Sequence, residues 1–206
     1  MLKSLSLAVV ALVVFASPVL AGPPLICHPY LTESGKLIAW GSGPGWNSPD
    51  HAYDIKKLVA DTTAVLTPDA PVLTRMENLR RATIYALRDP AIADQLLRTV
   101  LNRALSTTNN GSAWFDAGYL VEAYRQGEHL RGQKKNASAW AAVDETIRVD
   151  GYGFVKKAIA QLGPSVEMEF AASLMTQGTV ADAHRARAAK AGTGSLVAKN
   201  LAKLAY

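Results

Sequence analysis

The 206-residue sequence contains a single cysteine, Cys27, so no disulfide can form within the chain and packing must supply its stability. No stretch alternates apolar and polar residues as a half-buried strand does, which argues against a β-fold. Between residues 22 and 178, sixteen basic residues balance sixteen acidic ones. This neutral body lacks the basic face of a nucleic-acid-binding domain, and its aromatic residues lie mostly at helical spacing elsewhere, so we expect no nucleic-acid partner.

Motifs of common catalytic and metal sites are also missing. The sequence has no His-Glu-x-x-His, no paired Cys-x-x-Cys and no Gly-x-Ser-x-Gly motif. The glycine-rich stretch 41–46 follows no predicted strand and carries no lysine, so it does not qualify as a phosphate-binding loop. These absences favour a non-enzymatic protein, although they do not settle whether the chain is an enzyme.

The first residues have the pattern of a secretory signal peptide. Lys3 precedes an apolar run over residues 5–15, and small residues follow at Val19 and Ala21. The run is shorter than the roughly 20 apolar residues that span a bilayer, so we favour cleavage after Ala21 over an uncleaved anchor. The sequence therefore predicts an exported protein, periplasmic or extracellular.

Residues 22–50 are rich in Gly, Pro, Ser and Trp and show no sustained periodicity. We interpret them as an extended leader, because turn-forming residues recur throughout the stretch. The leader nevertheless carries Ile26, Tyr30, Trp40 and Trp46, and disordered linkers are poor in such residues. We expect it to dock on a helical domain formed by residues 51–206.

Beyond the leader, apolar residues recur at helical spacing. The pattern predicts an all-α fold of about eight or nine helices. The predicted helices begin after Ser48-Pro49, at Pro71, at Asp89-Pro90, after Asn110-Gly111, near Trp140, near Phe154, at Val166, at Thr179 and at Leu196. Short connections make neighbours antiparallel, and such pairs build either a short solenoid or a compact bundle.

Several segments also carry a resemblance. Residues 22–29, 40–50, 75–86 and 115–125 together resemble a group of uncharacterised exported bacterial helical proteins whose mature chain starts Gly-Pro-Pro-Leu-Ile-Cys-His-Pro. The similarity extends to about Arg125. It implies export and a helical fold, and it implies no activity. The central helix pairs are faintly similar to tetratricopeptide-type repeats, without the signature residues of that family.

Cys27 and His28 form the sharpest candidate for metal chemistry. A thiolate beside an imidazole suits copper or zinc, and His51 could add a third ligand if the fold brought it close. The alternative is that Cys27 is a small buried residue and His28 a surface or capping one. No cofactor is required by the sequence; copper or zinc is the one it could hold.

A second candidate site is a groove between helices. Tyr119 and Tyr124 belong to an aromatic row that is wide for one core-facing stripe, and Arg80 and Glu122 could turn inward beside it. Core packing for the tyrosines and a solvated face for the charges are the alternatives. With the groove, the chain would be an exported helical scaffold that binds a protein or peptide partner.

The net positive charge of the mature chain lies entirely after residue 178. Basic residues there outnumber the single acidic residue, Asp182. The basic residues are Arg185, Arg187, Lys190, Lys199 and Lys203. They would form either a solvated face or a contact with an anionic envelope surface.

Overall fold

The computed structural model describes residues 24–107, 109–131 and 137–204, and within them the only regular elements are helices. The predicted all-α fold is therefore confirmed for this part of the chain. The predicted signal peptide, residues 1–21, lies outside the described residues. The α-helices are α1 Leu58–Val65, α2 Val72–Ala86, α3 Pro90–Leu105, α4 Gly111–Gln126, α5 Ala137–Thr146, α6 Gly151–Leu162, α7 Val166–Met175, α8 Gly178–Ala188 and α9 Leu196–Lys203.

Three short 3-10 helices complete the described elements: Ile55–Lys57, Glu128–Leu130 and Ala189–Ala191. Helix boundaries follow local capping chemistry in most cases. The Asp89 carboxylate accepts from the backbone N–H groups of Ala91 and Ile92, and Pro90 occupies the first turn, where its missing N–H is harmless.

The start of the first helix was predicted wrongly. We expected Ser48 and Pro49 to cap it, but the Ser48 hydroxyl donates to the carbonyl of Pro44, four residues back. The chain turns there and becomes helical only after Asp54, whose carboxylate accepts from the Lys56 N–H. A Ser-Pro pair is compatible with a turn as well as with a cap, and here the turn is formed.

Alternate helices lie side by side. Contacts join α1 to α3 and α3 to α5 in one layer, and α2 to α4 and α4 to α6 in a second, as in a short solenoid. Helix α7 then contacts both α2 and α6, and α8 and α9 pack on α7. The last three helices thus cover the second layer and convert the stack into a compact body.

The leader, described from Pro24 to Asp50, has no helix or strand and docks on the second layer as expected. Leu25, Ile26, Tyr30 and Ile38 are buried in the common core. Between the leader and the first layer, α4 is buried on nearly every side. Gly118 on α4 is required by close packing, since a Cβ there would lie 2.4 Å from the Gly151 carbonyl oxygen of α6.

Candidate functional site

The predicted groove is not formed by the residues proposed for it. Arg80, Tyr119 and Tyr124 are completely buried, and Glu122 is only 8% exposed. The prediction of an open groove at these residues is corrected: α2 and α4 carry a layer on both faces, so even their polar side chains point into the interior.

Arg80 belongs to a buried ion-pair group that we call the α2 cluster: Glu77, Arg80 and Arg81. Arg80 donates to both carboxylate oxygens of Glu77 at 2.8 and 2.9 Å, and to leader carbonyls at Ile26 and Trp46. Burial alone would raise the pKa of Glu77, but its hydrogen bonds from Arg80 and Arg81 outweigh burial and hold the pKa below its ordinary value. The cluster joins the leader to α2, and Arg80 is enclosed within it.

The other groove residues have equally local roles. The Tyr119 hydroxyl lies 3.1 Å from that of Tyr30, and the Tyr124 hydroxyl donates to the Ala93 carbonyl oxygen at 3.2 Å. The Glu122 carboxylate accepts from the Tyr152 N–H at the start of α6. Each contact joins two structural elements, which is the behaviour of buried polar groups in a packed core.

The structure does not assemble a metal centre from Cys27, His28 and His51. Within residues 24–107, 109–131 and 137–204, no three or more His, Cys, Asp or Glu side chains converge as metal ligands. His51 is exposed in the turn before α1, whereas Cys27 and His28 are partly buried in the leader. Burial raises the pKa of the Cys27 thiol, with Arg80 opposing, which disfavours the thiolate that metals and electrophiles need.

A cleft lined by several ionisable side chains lies between α6, α7 and α8. It has a volume of about 370 Å³ and combines an apolar wall with polar groups from all three helices. Its lining consists of Tyr152, Lys156, Ile159, Glu169, Thr179, Val180, Ala183, His184 and Arg187. The volume falls within the range typical of small-ligand sites, at its lower end.

Helical spacing brings the polar groups together. Tyr152 and Lys156 are four residues apart on α6, and the Lys156 ammonium lies 4.9 Å from the centroid of the Tyr152 ring. His184 and Arg187 are three residues apart on α8, so they also share a face. The Ser165 hydroxyl accepts from the Met168 N–H and starts α7, so that Glu169 falls one turn later, toward α8.

Four of these side chains form one hydrogen-bonded chain, which we call the cleft cluster: Tyr152, Glu169, His184 and Arg187. The Tyr152 hydroxyl lies 2.7 Å from Nε2 of His184, and Nδ1 of the same ring lies 2.6 Å from Oε2 of Glu169. Arg187 donates from Nε to that carboxylate oxygen at 2.7 Å.

The side chains of the cleft cluster range from buried to partly exposed. His184 and Glu169 are buried, whereas the Arg187 side chain is 45% exposed and Tyr152 is partly exposed. Burial alone would raise the pKa of Glu169, but hydrogen bonds from His184 and Arg187 outweigh it and hold the pKa below its ordinary value. Burial also raises the pKa of the Tyr152 phenol, so Tyr152 presents a neutral hydroxyl to the cleft.

Sequence reasoning missed this cluster. It gave Tyr152, Glu169 and His184 no role, and it placed Arg187 only among the basic residues of the last helices. The single local signal was the spacing of His184 and Arg187 on one face of α8. The three helices meet only through tertiary packing, which helical periodicity does not encode.

No protein-family model, curated protein or solved structure matches this chain. The resemblance to exported bacterial helical proteins therefore stays a prediction. In the part of the chain that the structure describes, no helix has both the length and the apolar character that crossing a membrane would take.

Proposed function

We propose that the protein is an exported, non-enzymatic helical scaffold that binds a protein or peptide partner in the cleft between α6, α7 and α8. One observation carries the proposal: the cleft sets exposed apolar surface beside exposed cations. Val180 is 46% exposed there, Ile159 also lines the cleft, and Lys156 and Arg187 are exposed. An apolar wall with a few convergent polar groups is the usual composition of a binding site.

Peptide selection against the purified protein tests this proposal. Peptides selected from a random library should lose affinity by about tenfold or more with Val180→Asp, because a charge on the apolar wall must be desolvated on binding. Leu105→Asp is the matched control, since Leu105 is also apolar and exposed but lies on α3, away from the cleft. Failure to select any peptide, or equal binding by both variants, would refute it.

Export is the second part of the proposal, and its support is the pattern of residues 1–21. Expression of the full chain in a bacterial host, followed by N-terminal sequencing of the exported protein, should give a chain beginning at Gly22. A chain retained in the cytoplasm with Met1 in place would contradict export without bearing on the cleft.

Contact with an anionic envelope surface is an alternative function, favoured by the exposure of the basic residues in the last helices. Arg185, Arg187, Lys190, Lys199 and Lys203 are all exposed. Co-sedimentation with vesicles containing anionic lipid, compared with neutral vesicles, tests it. Binding to anionic vesicles that weakens as salt rises supports this alternative, and equal sedimentation with both removes it.

A further inference from the structure

A second cavity lies between the leader and residues 66–71, the segment that joins α1 to α2. Its volume is about 330 Å³, which falls at the lower end of the range of small-ligand sites. The lining includes two charged residues, Lys36 and Asp69, and the buried Thr74, and it shares no residue with the lining of the cleft. The cavity is therefore a candidate site independent of the cleft.

The hydroxyl of Thr74 is unpaired in the interior. Thr74 is 1% exposed, yet its Oγ1 has no hydrogen-bonding partner among the residues that the structure describes. The side chain points toward Gly35, which also lines the cavity: a Cβ atom at Gly35 would lie 2.9 Å from Cγ2 and 3.6 Å from Oγ1 of Thr74. Buried hydroxyls are nearly always paired, because an unpaired one has lost its bonds to water without replacement. A ligand in the cavity would supply the missing partner.

The same part of the cavity is electropositive. Thr74 lies in the first turn of α2, where backbone N–H groups point out of the helix and carry partial positive charge. Pro71, which precedes the helix, makes no side-chain cap, and the first turn contains no acidic residue. Lys36, exposed in the lining, adds a full positive charge. This end of the cavity is suited to a carboxylate group.

Asp69 gives the lining its negative charge. A hydrogen bond with the Thr67 hydroxyl holds the pKa of Asp69 below its ordinary value, so this carboxylate is ionised at neutral pH. It would repel a ligand that carried only negative charge, whereas an ammonium group on the same ligand would pair with it. The two signs of charge in one cavity therefore favour a zwitterion.

The segment that carries Asp69 is held in place by Arg75. The Arg75 guanidinium donates from Nε to the Ala70 carbonyl oxygen at 2.9 Å, and from Nη2 to the Thr67 carbonyl oxygen. Its Nη1 donates to both carboxylate oxygens of the buried Asp116, at 2.8 and 3.0 Å. A segment that is fixed before the ligand arrives loses little conformational entropy on binding, which favours affinity.

We propose that this cavity binds a free α-amino acid with a small apolar side chain, its carboxylate at Lys36 and the N-terminus of α2, and its ammonium group at Asp69. The Thr74 hydroxyl donates to the ligand carboxylate. Ala64 and Pro71 provide apolar lining for the short side chain. This binding is separate from peptide binding in the cleft, so neither proposal depends on the other.

Three probes test the two charges by NMR titration of the purified protein at about pH 7, where free carboxylates are ionised. L-valine carries both charged groups, N-acetyl-L-valine lacks the ammonium group, and L-valinamide lacks the carboxylate. Each modified probe should bind about tenfold more weakly than L-valine, or worse, because it loses one charge-assisted hydrogen-bonding group. Changes in the backbone amide signals of Gly35 and Ala70 should place the bound probe in the cavity.

Thr74→Val separates ligand binding from stability. Because the hydroxyl is unpaired in the free protein, replacing it with a methyl group should leave the free energy of unfolding unchanged or raise it, while the affinity for L-valine falls about fivefold. Thr83→Val is the matched control. Thr83 is also buried on α2, but its hydroxyl donates to the Leu79 carbonyl oxygen at 2.8 Å, and it lies outside the cavity lining. This control should lower stability and leave the affinity unchanged.

Two variants of exposed residues test the charges on the protein. Asp69→Asn should weaken L-valine binding about tenfold and should leave N-acetyl-L-valine binding unchanged or stronger, because the acetylated probe is no longer repelled. Lys36→Gln should weaken both probes that carry a carboxylate. Lys57→Gln, also exposed but outside the lining, is its control and should bind like the unmodified chain.

Absence of L-valine binding, equal binding of the three probes, or an unchanged affinity in Thr74→Val would overturn the proposal. Weaker L-valine binding in Asp69→Asn and Thr74→Val, with Thr83→Val and Lys57→Gln unchanged, supports it. Val180→Asp, the variant that tests the cleft, should bind L-valine like the unmodified chain. Failure of peptide binding in the cleft and failure of amino-acid binding here are thus distinguishable.

Discussion

The α2 cluster and the cleft cluster have the same kind of chemistry and opposite surroundings. Each centres on one buried carboxylate held by two basic side chains, Glu77 by Arg80 and Arg81, and Glu169 by His184 and Arg187. In the α2 cluster, Nη1 of Arg80 donates to the leader carbonyls of Ile26 and Trp46, and Nη1 of Arg81 donates to that of Ile38. The cleft cluster instead ends at a cavity. The two clusters therefore differ in their surroundings rather than in their charges: the leader covers the α2 cluster, whereas the cleft cluster borders a cavity.

The largest effect should come from breaking the α2 cluster. Glu77→Gln leaves the Arg80 guanidinium buried without a countercharge, so the free energy of unfolding should fall by about 3 kcal/mol. Urea denaturation followed by circular dichroism measures it. Glu145→Gln, which removes one partner of an exposed ion pair with Arg148, is the control and should cost less than about 0.5 kcal/mol. Similar losses in both would contradict a structural role for the α2 cluster.

A smaller loss should follow from loosening the leader without touching a charge. The buried Asn78 amide accepts from the Ile38 N–H at 2.9 Å and donates to the Lys36 carbonyl oxygen at 3.0 Å. Asn78→Ala leaves both backbone groups without this partner, so we expect a loss of about 2 kcal/mol and faster proteolysis within the leader. Asn102→Ala, at an exposed position of α3, should leave both measurements unchanged.

The same change in the cleft cluster should matter less for stability. Glu169→Gln removes the charge that pairs with Arg187, but this guanidinium is half-exposed and water can solvate it. The expected loss in the free energy of unfolding is about 1 kcal/mol, well below that of Glu77→Gln. A loss as large as that of Glu77→Gln would mean that the cleft cluster is a structural element and would undo the comparison.

The smallest expected effect is the pH dependence of the stability that Glu169 contributes. The folded-state pKa of Glu169 lies below its ordinary value of about 4.5, so its ionised form contributes stability above that pH. The contribution is lost as pH falls through the lower folded-state value. The stability difference between the unmodified chain and Glu169→Gln should therefore be present at about pH 7 and shrink toward zero below about pH 4, as urea denaturation across this range would show. A difference that grows in acid would contradict the assignment.

Sequence reasoning predicted the helical elements well because their apolar periodicity is local. It misplaced the start of α1, since Ser48 and Pro49 suit a turn as well as a cap. For the wide aromatic row on α4, with Tyr119 and Tyr124, the sequence left both core packing and an open groove as interpretations, and the structure shows core packing. The leader covers the side of α4 that faces away from the first layer, and that arrangement depends on contacts between residues far apart in the sequence.

The cleft could not be predicted for the same reason. Tyr152, Glu169 and His184 belong to three helices, and each has an ordinary surrounding sequence. They form a cluster only because the packed helices bring Tyr152 and Glu169 within hydrogen-bonding distance of His184. Residues that meet in such a hydrogen-bonded cluster can be recognised in a sequence only when a motif fixes their spacing. No motif of this kind links Tyr152, Glu169 and His184.

The clasp between the leader and α9 has a consequence for how the chain is made. The buried Asn200 amide accepts from the Leu31 N–H at 2.8 Å and donates to its carbonyl oxygen at 2.9 Å, across 169 residues. Leu31 of the leader precedes Asn200 of α9 by 169 residues, so the docking of the leader cannot be complete until Asn200 has been synthesised. The contact between Leu31 and Asn200 closes a long loop, and contacts that close long loops cost chain entropy and slow folding.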